Sequence, residues 1–384
     1  MKYVICVPDG CADQPVGALG GRTPLEVAEM PVLNELAARG TLGRAKVIPD
    51  GFPPGSDVGN MSIFGYNPAL YHTGRAPIEA AALGLYLSED EIAFRCNLVR
   101  VEDGNPPIMR DFAGGHPDTD KAAKVIAALN SYFGAVRFHS GVQYRHIMIA
   151  PREWGNATCV PPHDLTDQPV ALPSGHHSEH LQSLMDESRS VLADFGLEAN
   201  QIWLWGQGRQ PQMPSFQDRW GLSAGLVTAV DLVRGIGILT GISVVEVEGA
   251  TAWYDTNYEG KRDAVLQMLR DGVDVAVLHV EASDEAGHAG DITEKITSLE
   301  NWDSRIFAGL VEGLDEIGPW RMLVMPDHAT PIELRTHTSD PVPYLLVDSQ
   351  TQGAGGTYTE IGVAEAPIEE GHTLMAKLLS ASYP

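Results

Sequence analysis

Residues 273–288 read VDVAVLHVEASDEAGH. The first half, 273–280, is a near-continuous apolar run, the pattern of a strand covered on both faces. The second half delivers Glu281, Asp284 and His288 immediately beyond it. The same grammar recurs elsewhere. Residues 3–7, YVICV, run into Pro8-Asp9-Gly10, and residues 321–325, RMLVM, run into Pro326-Asp327-His328. Residues 243–247, SVVEV, and 343–347, PYLLV, read as further strands, with helical patterns between, such as Thr293 to Leu314. After the first strand, Thr23-Pro24-Leu25-Glu26 opens a helix with a capping box and a proline at its first position. Leu25, Val27, Ala28, Val32, Leu33, Leu36 and Ala37 give that helix an apolar face, and Gly40 stops it. Strands alternating with helices predict an α/β fold, a parallel sheet with helices on both faces.

In open parallel sheets, ligands bind beyond the carboxyl ends of the strands. Asp9, the Asp284-x-x-x-His288 pair and Asp327-His328 are therefore expected at one crevice, with His337 following nine residues after His328. Carboxylates with imidazoles suit Mn, Zn, Co or Mg rather than soft metals. The set is too large for one catalytic ion with open positions. It fits two divalent ions clamping the attacking and leaving oxygens of an in-line displacement.

Such a site needs a nucleophile, and residues 53–68, PPGSDVGNMSIFGYNP, offer Ser56 between Gly55 and a helix start. A helix N-terminus favours a phosphate, and a metal would lower the pKa of the hydroxyl. Ser56 or Asp57 could equally serve as a plain helix cap.

The middle of the chain differs. Residues 90–150 alternate short strands with turns, 151–175 are rich in Pro, Gly and His, 176–195 read as helix and IWLW at 202–205 as strand. This predicts a smaller α+β domain, residues 81–214, inserted into a core formed by 1–80 and 215–384. Arg95, Arg145, His163 and Arg209 in the insert, and Lys261 in the core, are candidate substrate contacts, because guanidinium groups grip phosphate and carboxylate in bidentate fashion. His176, His177 and His180 lack obvious carboxylate partners and read as structural or solvent-facing. GIGILTG at 235–241 is a weak match to a dinucleotide loop, and no G-x-x-x-x-G-K-[ST] loop is present.

The chain of 384 residues carries a formal net charge of -25, which argues against nucleic acid as a partner. Four cysteines, Cys6, Cys11, Cys96 and Cys159, form no disulfide framework or zinc pattern. No apolar run is long enough for a membrane span, and the N-terminal run is too short for a signal peptide. A cytoplasmic enzyme acting on a small substrate is expected; oligomeric state is not legible.

At these residues the sequence resembles the cofactor-independent phosphoglycerate mutases of the alkaline phosphatase superfamily, in their short archaeal-type branch. The likeness runs through TPLEVAEMP, PPGSDVGNMSIFGYNP, TGRAPIEA, AFRCNLV, GVQYRH, PPHDLTD, IWLWGQG, EGATAWYDTNYEGK, HVEASDEAGHAGD and PDHATPIELRTHTSDPVPY. It implies an alkaline-phosphatase-like core with an inserted phosphotransferase domain. It implies that Ser56 carries the phosphoryl group. It implies that Asp284, His288 and His337 hold one metal, and Asp9, Ser56, Asp327 and His328 the other. The implied activity is interconversion of 3-phosphoglycerate and 2-phosphoglycerate in glycolysis and gluconeogenesis, on a small phosphorylated substrate and without 2,3-bisphosphoglycerate. Domain closure would shield the phosphoserine from water. Ser283 stands where the family usually has Pro, and Ala252 where it usually has Gly. A homoserine kinase-like transfer and a metal-dependent phosphohydrolase are the competing activities. A non-catalytic metal-binding protein is the alternative outside enzymes.

Overall fold

A computed structural model describes residues 1–380. The chain divides into two compact units, Met1–His72 with Met213–Pro384, and Thr73–Gln212. The first boundary falls ahead of the expected 80/81. The reason is local: the helix Ala76–Ala82 buries Ala76 and Ala80 in a small cluster with Ala93, Ile147 and Ile149 of the second unit.

The first unit is built on an eight-stranded sheet. Its order is Ser243–Val245, Ala224–Val227, Val275–Val280, Lys2–Pro8, Trp320–Val324, Val342–Asp348, Thr41–Lys46 and Ile368–Glu370. The five strands from Ser243–Val245 to Trp320–Val324 run parallel. The 343–347 strand departs from the expected parallel pattern: Val342–Asp348 runs antiparallel to both Trp320–Val324 and Thr41–Lys46. No crossover helix separates it from the preceding strand, only the loop that carries His328 and His337.

The central strands are buried on both faces, as their continuous apolar runs require. Val4, Cys6, Ala276, Leu278, Met322 and Val324 pack on helices carrying Leu33, Leu36, Val265, Leu269, Leu310 and Leu314. Their alternates Ile5, Val7, Val277 and Leu323 are equally buried. The pattern over Thr293–Leu314 resolves into two α-helices, Ile292–Asn301 and Ala308–Ile317, joined by a π-helical turn at Trp302–Phe307.

Register sets up the chemistry. Pro8 pairs with Val280, and Cys6 with Val324. Three strands therefore end level, and Asp9, Glu281 and Asp327 leave the same edge.

The second unit holds a five-stranded sheet centred on Glu91–Glu102, which pairs antiparallel with Ile108–Asp111, Arg145–Pro151 and Gln201–Gly208. The helices Thr119–Tyr132 and Ser178–Leu192 bury Val125, Leu129, Leu181 and Met185 in one core with Phe94, Cys96, Leu98 and Met148. Among the described residues, no helix is long and apolar enough to cross a membrane.

Candidate metal centre and nucleophile

At the carboxyl edge of the first unit's sheet, two groups of donor atoms converge. One is Asp9, Asp327 and His328, all buried; the other is Asp284, His288 and His337. In the first, His328 Nε2 lies 3.6 Å from Asp9 Oδ1 and 3.5 Å from Asp327 Oδ2. In the second, Asp284 Oδ2 lies 3.3 Å from His288 Nε2, and Asp284 Oδ1 lies 3.5 Å from His337 Nε2. The two groups adjoin: the rings of His328 and His337 are 3.9 Å apart, and His328 Nδ1 is 4.0 Å from Asp284 Oδ1.

Local backbone places each ligand. Asp284 and His288 sit one turn apart on the helix Ala282–Ala289, so both face the same side. Gly10, with φ of +59°, leaves room where a Cβ would press on Asp284 and Thr330. Thr330 donates to Asp284 Oδ1 and lies 3.2 Å from His328 Nδ1, bracing both groups. The loop bearing Asp9 is braced as well: Ser283, the departure from the family's usual Pro, donates to the Asp9 carbonyl at 2.6 Å.

Ser56 opens the helix Ser56–Ile63, and its Oγ lies 3.2 Å from His328 Nε2. One turn on, Asn60 Nδ2 donates to the Ser56 carbonyl at 3.0 Å and to Asp327 Oδ2 at 2.7 Å, tying Ser56 to Asp327. Gly59 lets this helix approach so closely, since a Cβ there would overlap the Asp327 carbonyl.

The electrostatics fit divalent cations. Burial pushes the Asp9 carboxyl well above its ordinary range, and the charges of Asp327 and Asp284 add to it. Burial also pushes the Asp284 carboxyl up, but hydrogen bonds from His288 and His337 outweigh it and hold the group well below the usual range. Burial draws His328 down to about 4, leaving a neutral imidazole able to act as a ligand. His288 Nε2 and His337 Nε2 face each other at 2.8 Å. Asp9 Oδ1 is buried and, among the described residues, has no hydrogen-bond partner. A buried carboxylate oxygen left so is costly unless a cation meets it.

The candidate substrate residues separate. Arg95, Arg145 and His163 come together in the second unit. Arg95 Nη1 pairs with Glu79 Oε1 at 3.1 Å, and its guanidinium lies 4.7 Å over the Trp205 ring. His163 meets the same ring edge-on at 5.3 Å. Burial raises the Glu79 carboxyl, but Arg95 and Arg75 overcome that and lower it, with Arg145 adding to them. One carboxylate against three guanidinium groups leaves a cationic cluster. Arg209 lines a cavity of about 640 Å³ with Thr73, Asp90, Arg152 and Gln207. Lys261 is fully buried in the first unit, its Nζ 3.2 Å from Glu281 Oε2. His180, read without a carboxylate partner, has Glu179 Oε1 at 3.8 Å; this pair and His177 belong to the second unit, whereas both ion groups belong to the first.

Sequence reasoning missed Asn60, His279, Lys295 and Thr330. Asn60 had a signal, its i+4 spacing from Ser56. His279 had one too, a lone imidazole inside an apolar strand. Lys295 and Thr330 carried none, because their partners are distant in sequence.

The model of the family described as 2,3-bisphosphoglycerate-independent phosphoglycerate mutase matches residues 37–197. A probable 2,3-bisphosphoglycerate-independent phosphoglycerate mutase of Geobacter sulfurreducens is 41% identical over 402 residues, covering 99% of this chain and 100% of the relative. A 2,3-bisphosphoglycerate-independent phosphoglycerate mutase of Methanothrix thermoacetophila is 45% identical over 362 residues, 91% of each chain. Among solved structures, a Pyrococcus horikoshii protein superposes with a TM-score of 0.79 at 27% identity, covering 100% of this chain and 99% of its own. The cofactor-independent phosphoglycerate mutase of Thermoplasma acidophilum shares the fold, with a TM-score of 0.66 at 24% identity and 99% coverage of both chains.

Proposed function

Because the chain belongs to the 2,3-bisphosphoglycerate-independent phosphoglycerate mutases, we propose that it interconverts 3-phosphoglycerate and 2-phosphoglycerate through a phosphoseryl group on Ser56. The observation that carries this reading is Ser56 Oγ standing 3.2 Å from His328 Nε2, at a helix N-terminus and beside two clusters of metal-ligand type. Two divalent ions, one held by Asp284, His288 and His337 and one by Asp9, Ser56, Asp327 and His328, would lower the pKa of the Ser56 hydroxyl and neutralise the transferring oxygens. Mn, Mg, Co or Zn would suit these donors.

In the forward direction Ser56 Oγ attacks phosphorus in line. The Ser56 hydroxyl gives up its proton as the Oγ–P bond forms, the bond from phosphorus to the substrate's 3-oxygen breaks, and that oxygen takes a proton. Glycerate stays bound and reorients. Its 2-hydroxyl then attacks the phosphoserine and loses its proton as the Oγ–P bond breaks and Ser56 Oγ takes a proton back. No bisphosphorylated primer enters this balance. Asn60 holds Asp327 and the Ser56 carbonyl in fixed relation throughout. The helix N-terminus favours the negative phosphoryl group. Arg95, Arg145 and His163 of the second unit supply binding groups for phosphate and carboxylate, with Arg209 as a further substrate contact; Lys261, fully buried against Glu281, is left out of this set.

The test is conversion of 3-phosphoglycerate by metal-stripped protein resupplied with Mn or Mg, without bisphosphoglycerate, beside Ser56→Ala. Metal-dependent 2-phosphoglycerate, lost in Ser56→Ala while metal affinity persists, is the expected result. Retained turnover in Ser56→Ala would refute the covalent route. Free phosphate in place of 2-phosphoglycerate would point to hydrolysis, and phosphorylated homoserine to a different acceptor.

A further inference from the structure

Behind the Asp9 carboxylate runs a line of buried polar side chains that the chemistry above leaves unused. Lys261 and His279 are wholly buried, and Glu281 and Thr228 nearly so. Glu281 accepts from three donors. Lys261 Nζ approaches Oε2 at 3.2 Å, while Thr228 Oγ1 at 3.2 Å and His279 Nδ1 at 2.9 Å meet Oε1. A carboxylate only accepts, and carboxylate oxygens face both ring nitrogens, Glu281 Oε1 at Nδ1 and Asp9 Oδ2 at Nε2, so each nitrogen of His279 carries a proton. The ring is thereby held in one orientation, and its other nitrogen is aimed at the ligand cluster. His279 Nε2 lies 3.4 Å from Asp9 Oδ2 and 4.0 Å from Asp327 Oδ2, and it has no other partner at hydrogen-bond distance among the described residues.

Asp9 divides its two oxygens. Oδ1 turns to His328 Nε2 at 3.6 Å and is otherwise without a partner among the described residues, whereas Oδ2 turns to His279. That is the arrangement of a ligating carboxylate whose second oxygen is held from behind. His279 is part of the Val275–Val280 strand and pairs in register with Val7, two residues before Asp9, so it is as rigid as the sheet.

Building on the two-ion reading, we propose that His279, aimed by Glu281, is a positioning residue that holds Asp9 Oδ2 and so presents Oδ1 to the ion of the Asp9–Asp327–His328 cluster. Lys261 and Thr228 act one step further out, keeping the Glu281 carboxylate turned to His279. An aspartate without this hold rotates about its terminal torsion and aims an oxygen at the ion for only part of the time. The consequence is selective. The Asp284–His288–His337 cluster has its own braces, Thr330 and the Arg335 carbonyl that meets His288 Nδ1 at 3.1 Å, and does not depend on His279.

The experiment is Mn titration of metal-stripped full-length protein, followed by calorimetry and by electron paramagnetic resonance. Asp327→Asn identifies which binding class belongs to the Asp9 cluster. His279→Ala and Glu281→Gln should each weaken that class by about 10–100-fold, the usual cost of losing such a partner. The other class should be unchanged, which also certifies the fold of the variant. His279→Gln, whose side-chain amide can still donate toward Asp9, should recover part of the loss. Unchanged affinity in His279→Ala would overturn the proposal. So would equal weakening of both classes, or a His279→Gln no better than His279→Ala. A wild type without any class sensitive to Asp327→Asn would remove the two-ion site and this proposal together. Failure to make 2-phosphoglycerate, with both classes present, would remove only the proposed activity.

Discussion

Lys295 is the residue whose loss should unsettle the metal centre's scaffold most. It is fully buried, and the groups its ammonium meets are distant in sequence. Its Nζ donates to Asp13 Oδ2 at 2.7 Å, to the Thr330 carbonyl at 2.8 Å and, more weakly, to the Ala12 carbonyl at 3.4 Å. Asp13 also accepts from the Ile332 N–H. One ammonium thus joins the loop that follows Asp9 to the loop that follows His328. Lys295→Met keeps the aliphatic stem and removes the charge. It leaves Asp13 buried without its cation and two carbonyls short of a donor. Breaking a buried pair by removing one partner costs about 3–5 kcal/mol. At roughly 2–4 °C per kcal/mol for a domain of a few hundred residues, the melting temperature should fall by roughly 6–20 °C. The assay is thermal unfolding of metal-stripped protein, because bound ions would add their own stabilisation. Asp13→Leu and the double variant Asp13→Leu/Lys295→Met complete a cycle, in which the double variant should lose much less than the two single losses added together. A Lys295→Met protein melting within about 2 °C of wild type would refute the reasoning, because an isolated buried carboxylate should cost several times that shift. It would mean that water or a side-chain shift relieves the isolated Asp13.

Two further outcomes are expected. Asp284→Asn removes a carboxylate that meets both His288 and His337, and it should weaken ion binding by more than the roughly 10–100-fold typical of an outer partner; unchanged metal content by elemental analysis would exclude Asp284 as a ligand. The Glu79 carboxyl is held below its ordinary value in the folded chain, so its contribution to stability is fully present above the unfolded value of about 4.3 and is lost as pH falls below it. Glu79→Gln should therefore flatten that acid limb in urea melts of the full chain, and an identical acid limb in variant and wild type would count against the Arg75–Arg95–Glu79 cluster as its source.

Much of the site was legible because parallel strands impose a rule that a sequence can display. A buried strand announces itself as an apolar run, and its end is where the chain turns toward the crevice. Asp9, Asp284 and Asp327 each follow such a run, so their meeting needed only the assumption of one sheet. Ser56 was legible for a related reason: Gly before it and an apolar-periodic stretch after it mark a helix start.

What the sequence by itself determined was local: which segments are strands and helices, where each strand ends, and which acids and imidazoles stand at those ends. Family resemblance then supplied the roles. Tertiary structure alone decided the rest. It placed Ser56 Oγ beside His328, turned the Val342–Asp348 strand antiparallel, gathered Arg95, Arg145 and His163 near Trp205 and Glu79, and buried Lys261 and Lys295 against Glu281 and Asp13. The physical reason is the same in each case. Secondary structure follows from neighbours a few residues apart, whose periodicity is written in the chain. A buried charge is satisfied by whichever partner the fold brings within about 3 Å, and that partner leaves no mark on the sequence around it.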